Sequence, residues 1–215
     1  MRNKPKSKIN KIMALAKQLP CFSLADLASV EPDHNYLKIT LSRYKKSGKL
    51  LKIRRGLYVS SEYINALQKK GRFSIYPEFI ASILYQPSYL SLDYVLYQHN
   101  LLTEIARNFT AITRNKTAHF TNAFGNYFYH KIKAEFFCGF KIIKINNFVI
   151  YKATKAKSLF DYLYLRRNLL VNKKAVRELR LNMGNFNQAD VREFKQYLKL
   201  AGTQKVAEIF AVLME

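Results

Sequence analysis

Acidic residues are scarce in this sequence: 14 Asp and Glu stand against 37 Lys and Arg in 215 residues, a formal net charge of +23. That imbalance exceeds what solubility requires. It points to a polyanionic partner, nucleic acid before an anionic membrane surface. Long apolar runs are missing as well. No stretch approaches the roughly 18–20 apolar residues of a spanning helix, so no membrane insertion is expected. The basic segment from Met1 to Lys17 has no uninterrupted apolar core behind it and does not read as a signal peptide. Cysteine is limited to Cys21 and Cys138, with no CxxC spacing, which fits buried thiols in a reducing cytoplasm better than a bridge. Only seven glycines occur, and there is no P-loop, GxGxxG, HExxH or GxSxG motif, so a phosphate-cradling loop and the common hydrolase signatures are not expected. Tryptophan is absent. The 15 Tyr and 15 Phe carry the aromatic content, and on alternating strands they are expected in the core rather than as a base-stacking platform.

What is present is organised around Leu41–Val59. This stretch reads as the end of a helix, a stop at Ser47-Gly48, and a short hairpin that turns at Arg54-Arg55-Gly56. Seven Lys or Arg fall between Arg43 and Arg55 with no acid among them. A basic run is by itself usually a solvated face. Here it lies on a helix whose core side can be assigned: at about 100° per residue, Leu37, Leu41 and Tyr44 cluster inward. Asn35, Ile39, Ser42, Arg43 and Lys46 face the other way. Helix, turn and basic hairpin together predict the recognition helix and wing of a winged helix-turn-helix. Asn35 and Arg43 are placed to reach base edges and Lys46 to reach phosphate, with Ser42 on the same DNA-facing side. Lys38, Lys45, Lys49, Lys52, Arg54 and Arg55 complete the expected DNA-binding set.

Upstream, residues 1–8 read as a basic phosphate-binding arm, Ile9–Leu19 as a helix ended by Pro20, and Phe22–Ala28 as a second helix capped by Ser23 with Asp26 in the capping-box place. Residues 60–75 read as a link with a short helical patch. Residues 1–72 hold 17 Lys and Arg against 4 acids, and residues 73–215 hold 20 against 10, so the first part is the more densely basic. Beyond it, Pro77–Tyr85 looks helical and Ser91 is placed to cap a helix over Leu92–His99. Aromatic-rich extended runs follow at Phe109–Thr113, His119–Thr121, Asn126–His130, Phe136-Phe137, Lys141–Ile145 and Phe148–Tyr151, with helices at Ala156–Arg167 (capped by Thr154), Lys173–Leu181, Gln188–Leu200 and Thr203–Leu213. The expected fold class is α+β: a winged helix-turn-helix with its linker over 1–72, then a larger α+β domain over 73–215 with an antiparallel sheet and C-terminal helices.

Catalytic signals are weak. Asp93, Glu104 and Asp161 match no metal-binding spacing, and His99, His119 and His130 with Cys138 form no zinc-type pair, so neither metal nor cofactor is expected and no catalytic residue is assigned. A second basic concentration, Lys155, Lys157, Arg166, Arg167, Lys173, Lys174, Arg177 and Arg180, is a candidate partner surface or simply a solvated face. The alternative to a binding protein is a nucleic-acid-processing enzyme targeted by the winged helix.

Several stretches together resemble the AbiEi-type antitoxins of bacterial type IV toxin–antitoxin and abortive-infection systems. They are Gly48-Lys49-Leu50 with Ile53–Tyr58, then Tyr89–Leu96 with His99-Asn100-Leu101, where the family more often has Gly at the place of Asn100. Thr113, Tyr129–Ile132 and Phe137–Gly139 continue the likeness. Ala153–Leu163 is similar to the family's A-x-x-E-K-A-l-x-D-l helix, with Lys and Ala in place of an acidic and basic pair. The resemblance implies a cytoplasmic repressor that binds inverted repeats in its own promoter. It also implies that the protein counters a cognate nucleotidyltransferase-like toxin, directly or indirectly.

Overall fold

The computed structural model describes residues 8–215. Apart from Lys8, the basic arm expected at residues 1–8 lies outside the described residues. The chain divides into two compact units, one running to Ile80 and taking in Thr121–Phe124, the other made of Ala81–Phe120 and Gly125–Glu215.

The first unit opens with three helices, α1 (Lys8–Ala16), α2 (Leu24–Leu27) and α3 (His34–Lys46). Ile12, Met13, Ala16, Phe22, Leu27, Leu37, Leu41 and Leu50 form its core, as the 3.6-residue apolar spacing demands. Asp26 closes the start of α2 by accepting from both the backbone N–H (2.7 Å) and the hydroxyl (2.8 Å) of Ser23. Asp33 caps α3, its carboxylate accepting from the N–H groups of Asn35 and Tyr36 at 2.9 and 3.0 Å. The helix stops where expected, at Ser47, and Gly48 follows at φ 71°. The hairpin of β1 (Leu50–Arg54) and β2 (Leu57–Ser60) is antiparallel, with Arg55-Gly56 as its turn and Gly56 at φ 77°. Phe22 extends it by a bridge to Tyr58, exchanging backbone bonds of 2.8 and 2.9 Å. This is a winged helix-turn-helix. The stretch read as a link holds a nine-residue helix, α4 (Ser61–Lys69), capped by the Ser60 hydroxyl and burying Ile64 and Leu67. Arg72 and Phe73 both lie in this unit. Tyr76, fully buried, donates to the carbonyl of Pro20 at 2.7 Å and meets the rings of Tyr63, Phe73, Phe79 and Phe124.

Helix α5 (Tyr76–Leu84) leads into the second unit. There follow β3 (Ser88–Leu90), α6 (Leu92–Gln98), β4 (Phe109–Thr113), β5 (Ala118–Asn122), β6 (Gly125–Lys131), β7 (Phe140–Ile145) and β8 (Phe148–Ala153), then α7 (Lys155–Arg166), α8 (Lys173–Arg177), α9 (Gln188–Ala201) and α10 (Gln204–Leu213). The six strands form one sheet in the order β5-β6-β4-β3-β8-β7. Pairings β3–β4 and β7–β8 are antiparallel, but β4–β6 and β3–β8 are parallel, so the sheet is mixed rather than wholly antiparallel. Connections through helices and loops make parallel neighbours possible where hairpins cannot. Phe136-Phe137, read as extended, belongs instead to a 3-10 turn over Ala134–Phe136 and its cap, and the predicted Lys173–Leu181 helix ends early, at Arg177. Asn100 takes the left-handed conformation, φ 56°, that a Gly would favour. The core is aromatic: Phe136, Phe160, Tyr164, Phe186, Phe194 and Phe210 meet ring to ring, largely at edge-on angles.

Candidate nucleic-acid interface

Helix α3 buries Leu37, Thr40 and Leu41 and leaves Asn35, Lys38, Ile39, Ser42, Arg43, Lys45 and Lys46 exposed. Lys49 sits in the turn after the helix, its ammonium 5.2 Å from the centre of the Tyr44 ring. Lys52, Arg54 and Arg55 are exposed on the hairpin, whose apolar Leu50, Ile53 and Val59 point the other way, into the core. All ten residues predicted to contact DNA are therefore on the surface, and all belong to one helix, its following turn and the hairpin joined to it. Among the described residues no carboxylate pairs with any of their eight positive charges. The ion pairs of this unit involve Lys8 with Glu31 (3.0 Å) and Lys17 with Glu62 (2.7 Å) instead. Uncompensated cations on a helix and wing are what a phosphate backbone neutralises.

The second basic concentration is differently disposed. Lys157 is fully buried, so it does not belong to any partner surface. Its ammonium donates to Asp161, one turn along α7, and lies 5.5, 5.1 and 5.6 Å from the ring centres of Tyr89, Phe160 and Tyr197. Placed on the A-x-x-E-K-A-l-x-D-l pattern from Ala153, Lys157 holds the K place and Asp161 the D place while Ala156 stands at the E, so the basic residue of the pair is retained and only the acidic one is replaced. Lys155 pairs with Asp190 at 2.6 Å and donates to the Asn185 carbonyl. Arg166 pairs with Asp93 at 3.2 Å and stacks on Tyr162, and Arg167 donates to the Tyr164 carbonyl and stacks on its ring. Lys173 and Arg177 share Glu215, at 2.7 and 3.1 Å. Lys174 and Arg180 are exposed.

Of the carboxylates weighed for catalysis, Asp161 stands apart from Asp93 and Glu104. Asp161 is fully buried and accepts from Lys157, from the Tyr89 hydroxyl (3.0 Å) and from the Ser91 hydroxyl (2.8 Å). Burial pushes its carboxyl up, against the opposing pull of Lys157 and the two hydroxyls. Ser91 thus spends its side chain on Asp161 and does not cap α6. The Thr110 hydroxyl takes over, accepting from the Tyr94 N–H at 3.1 Å while donating to the Ser91 carbonyl. Asp93 and Glu104 line an open hollow of about 1040 Å³ whose further lining includes Arg107, Glu178 and Arg180, charges of both signs. Among the described residues no group of three His, Cys, Asp or Glu could hold a metal ion. Burial lowers the pKa of His99 and His130 and raises that of both thiols, Cys21 to about 11. The missed members of this network, Tyr89 and Thr110, carry no local sequence signal, because each acts on a residue distant in the chain.

The helices, the bridge through Phe22 and the basic wing define a winged helix-turn-helix module. Residues 10–61, about a quarter of the chain, match the family model described as transcriptional regulator, AbiEi antitoxin. No curated protein matches the chain. No helix among the described residues is long and apolar enough to cross a membrane.

Proposed function

We propose that the protein is a cytoplasmic, DNA-binding antitoxin that represses its own operon by gripping inverted repeats, and that it acts by binding rather than catalysis. The observation that carries this reading is the set of eight unpaired Lys and Arg on α3, its turn and the wing, beside the exposed Asn35 and Ser42. Arg43 and Asn35 read bases, Ser42 assists them, and Lys46, Lys49, Lys52, Arg54 and Arg55 hold phosphates, with Lys38 and Lys45 flanking. The second unit counters a nucleotidyltransferase-like toxin, by contact or indirectly. The support for that part is the resemblance running through Tyr89–Leu96 and Ala153–Leu163. The processing-enzyme alternative finds little support, since Asp161 is locked in a buried network and Asp93 is bound to Arg166.

Duplex binding by the full chain, measured across a salt series, tests the proposal. Affinity falls steeply with salt as phosphate counterions are released. Lys52→Ala weakens all duplexes alike and lowers the salt slope by about one, whereas Arg43→Ala relaxes sequence preference. Binding indifferent to salt between low and physiological ionic strength would overturn it. In parallel, residues 73–215 are expected to rescue growth against the neighbouring toxin while failing to repress a promoter reporter. A well-expressed fragment that rescues nothing would place the antitoxic surface elsewhere.

A further inference from the structure

Ile39 is 62% exposed, and among the described residues it is the one large apolar side chain left exposed in the first unit. Its position is not incidental. It sits in the middle of the outward face of α3, one turn after Asn35 and one turn before Ser42 and Arg43, roughly opposite the buried Leu37, Thr40 and Leu41. Every neighbour on that face is polar or basic. The helix is held rigidly for such a display: Asp33 caps its start, and Leu37 and Leu41 anchor it to the core. An isoleucine there gains nothing from water and cannot hydrogen-bond to a base edge. The major groove offers one apolar feature, the C5 methyl group of thymine. We infer that Ile39 is a specificity-determining residue that packs on a thymine methyl, so each half-site of the operator carries an A·T pair at the position facing the centre of α3.

This inference rests on the reading of α3 as the DNA-facing helix, and the test separates the two. Full-length protein is first used to select sites from a randomised duplex library. Thymines in the recovered site are then replaced one at a time by deoxyuridine, which removes only the methyl group. A buried methyl is worth about 0.8 kcal/mol, so one substitution is expected to weaken wild-type binding about fourfold. Ile39→Ala binds the thymine duplex about as weakly as wild type binds the uracil one, and it no longer distinguishes the two. Ile39→Val retains part of the discrimination. Because Ile39 is exposed, these variants keep the wild-type thermal midpoint, which checks that folding is intact. Wild-type protein that binds duplexes but treats thymine and uracil alike at every position overturns the inference and leaves the DNA-binding reading standing. Discrimination that survives undiminished in Ile39→Ala overturns it as well. A chain that selects no duplex at all refutes both.

Discussion

Replacing Asp161 by Leu tests the buried network of α7 most severely. The substitution leaves the Lys157 ammonium fully buried without its paired carboxylate, beside the rings of Tyr89, Phe160 and Tyr197 between 5.1 and 5.6 Å away. Removing one partner of a buried ion pair costs about 3–5 kcal/mol. Lys157→Met is expected to be milder, about 1–3 kcal/mol. Its carboxylate keeps the hydroxyls of Tyr89 and Ser91, at 3.0 and 2.8 Å, and can take up a proton, which burial already favours. The double variant Lys157→Met, Asp161→Leu then costs less than Asp161→Leu alone, because no unpaired charge remains, and the coupling exceeds about 1 kcal/mol. Urea unfolding of the four full-length proteins, followed by circular dichroism, gives these differences. The pH dependence adds an independent readout. In Lys157→Met the Asp161 carboxyl lies still further above its ordinary value of 3.8, so the folded state binds more protons than the unfolded one. Such a group contributes stability that is fully present below the unfolded pKa and is lost as pH rises through the folded one. Lys157→Met is therefore expected to lose stability relative to wild type from about pH 4 upward. Equal costs for the two single variants, or a double variant costing their sum, would refute the reasoning.

Gly139 lies at φ 70°, and a Cβ there would meet Tyr197 Cζ at 2.8 Å and Lys157 Cδ at 2.9 Å, so Gly139→Ala should cost about 3 kcal/mol or more in the same unfolding assay. Gly56→Ala, at φ 77° with nothing within 4 Å of the new methyl, should cost only about 1–2 kcal/mol, and a larger loss than at Gly139 would contradict the geometry. A fragment of residues 1–80 should unfold at a higher temperature than one of residues 1–72, by about 3 kcal/mol or more of stability, because the shorter one lacks Tyr76 and its bond to the Pro20 carbonyl; coincident thermal midpoints would count against that.

The recognition helix and wing were legible in the sequence because their cues are local. Apolar period, the stop at Ser47-Gly48 and the turn at Arg54-Arg55-Gly56 each act within a few residues, and the structure repeats all three, with Arg54 as the last residue of β1. The sheet was less legible. Strand β3 has three residues, too few for alternation to register, yet it lies between β4 and β8 and carries one antiparallel and one parallel pairing. Ser91 looked like an N-cap by position, and only its partner, 70 residues away, diverts the hydroxyl. Lys157 looked like one more surface charge. The available cue was its spacing: Asp161 falls one turn later, with Leu159, Phe160, Tyr162 and Leu163 between and around them, and an apolar helix face can carry a lysine only if an acid is on hand to pair with it.

Charge counts make residues 1–72, at a net +13, more densely basic than residues 73–215, at a net +10 over about twice the length, yet both parts remain basic. Compensation separates them. In the second cluster Lys155, Lys157, Arg166, Lys173 and Arg177 each have a carboxylate, and Arg167 stacks on Tyr164, so most of that charge is engaged within the fold. On α3 and the wing, none of the eight cations pairs with a carboxylate among the described residues, although Asp33 stands at the start of the same helix. Asp33 is committed to the backbone N–H groups of Asn35 and Tyr36, and Glu31 is buried against Lys8. The few acids of the first unit are thus used as caps and anchors. A polyanion approaching this face has no internal carboxylate to displace, whereas one approaching the second cluster would have to compete with Asp93, Asp190 and Glu215. On this electrostatic ground the proposed DNA contact falls to the first unit, and the partner proposed for the second would be recognised by shape and mixed charge.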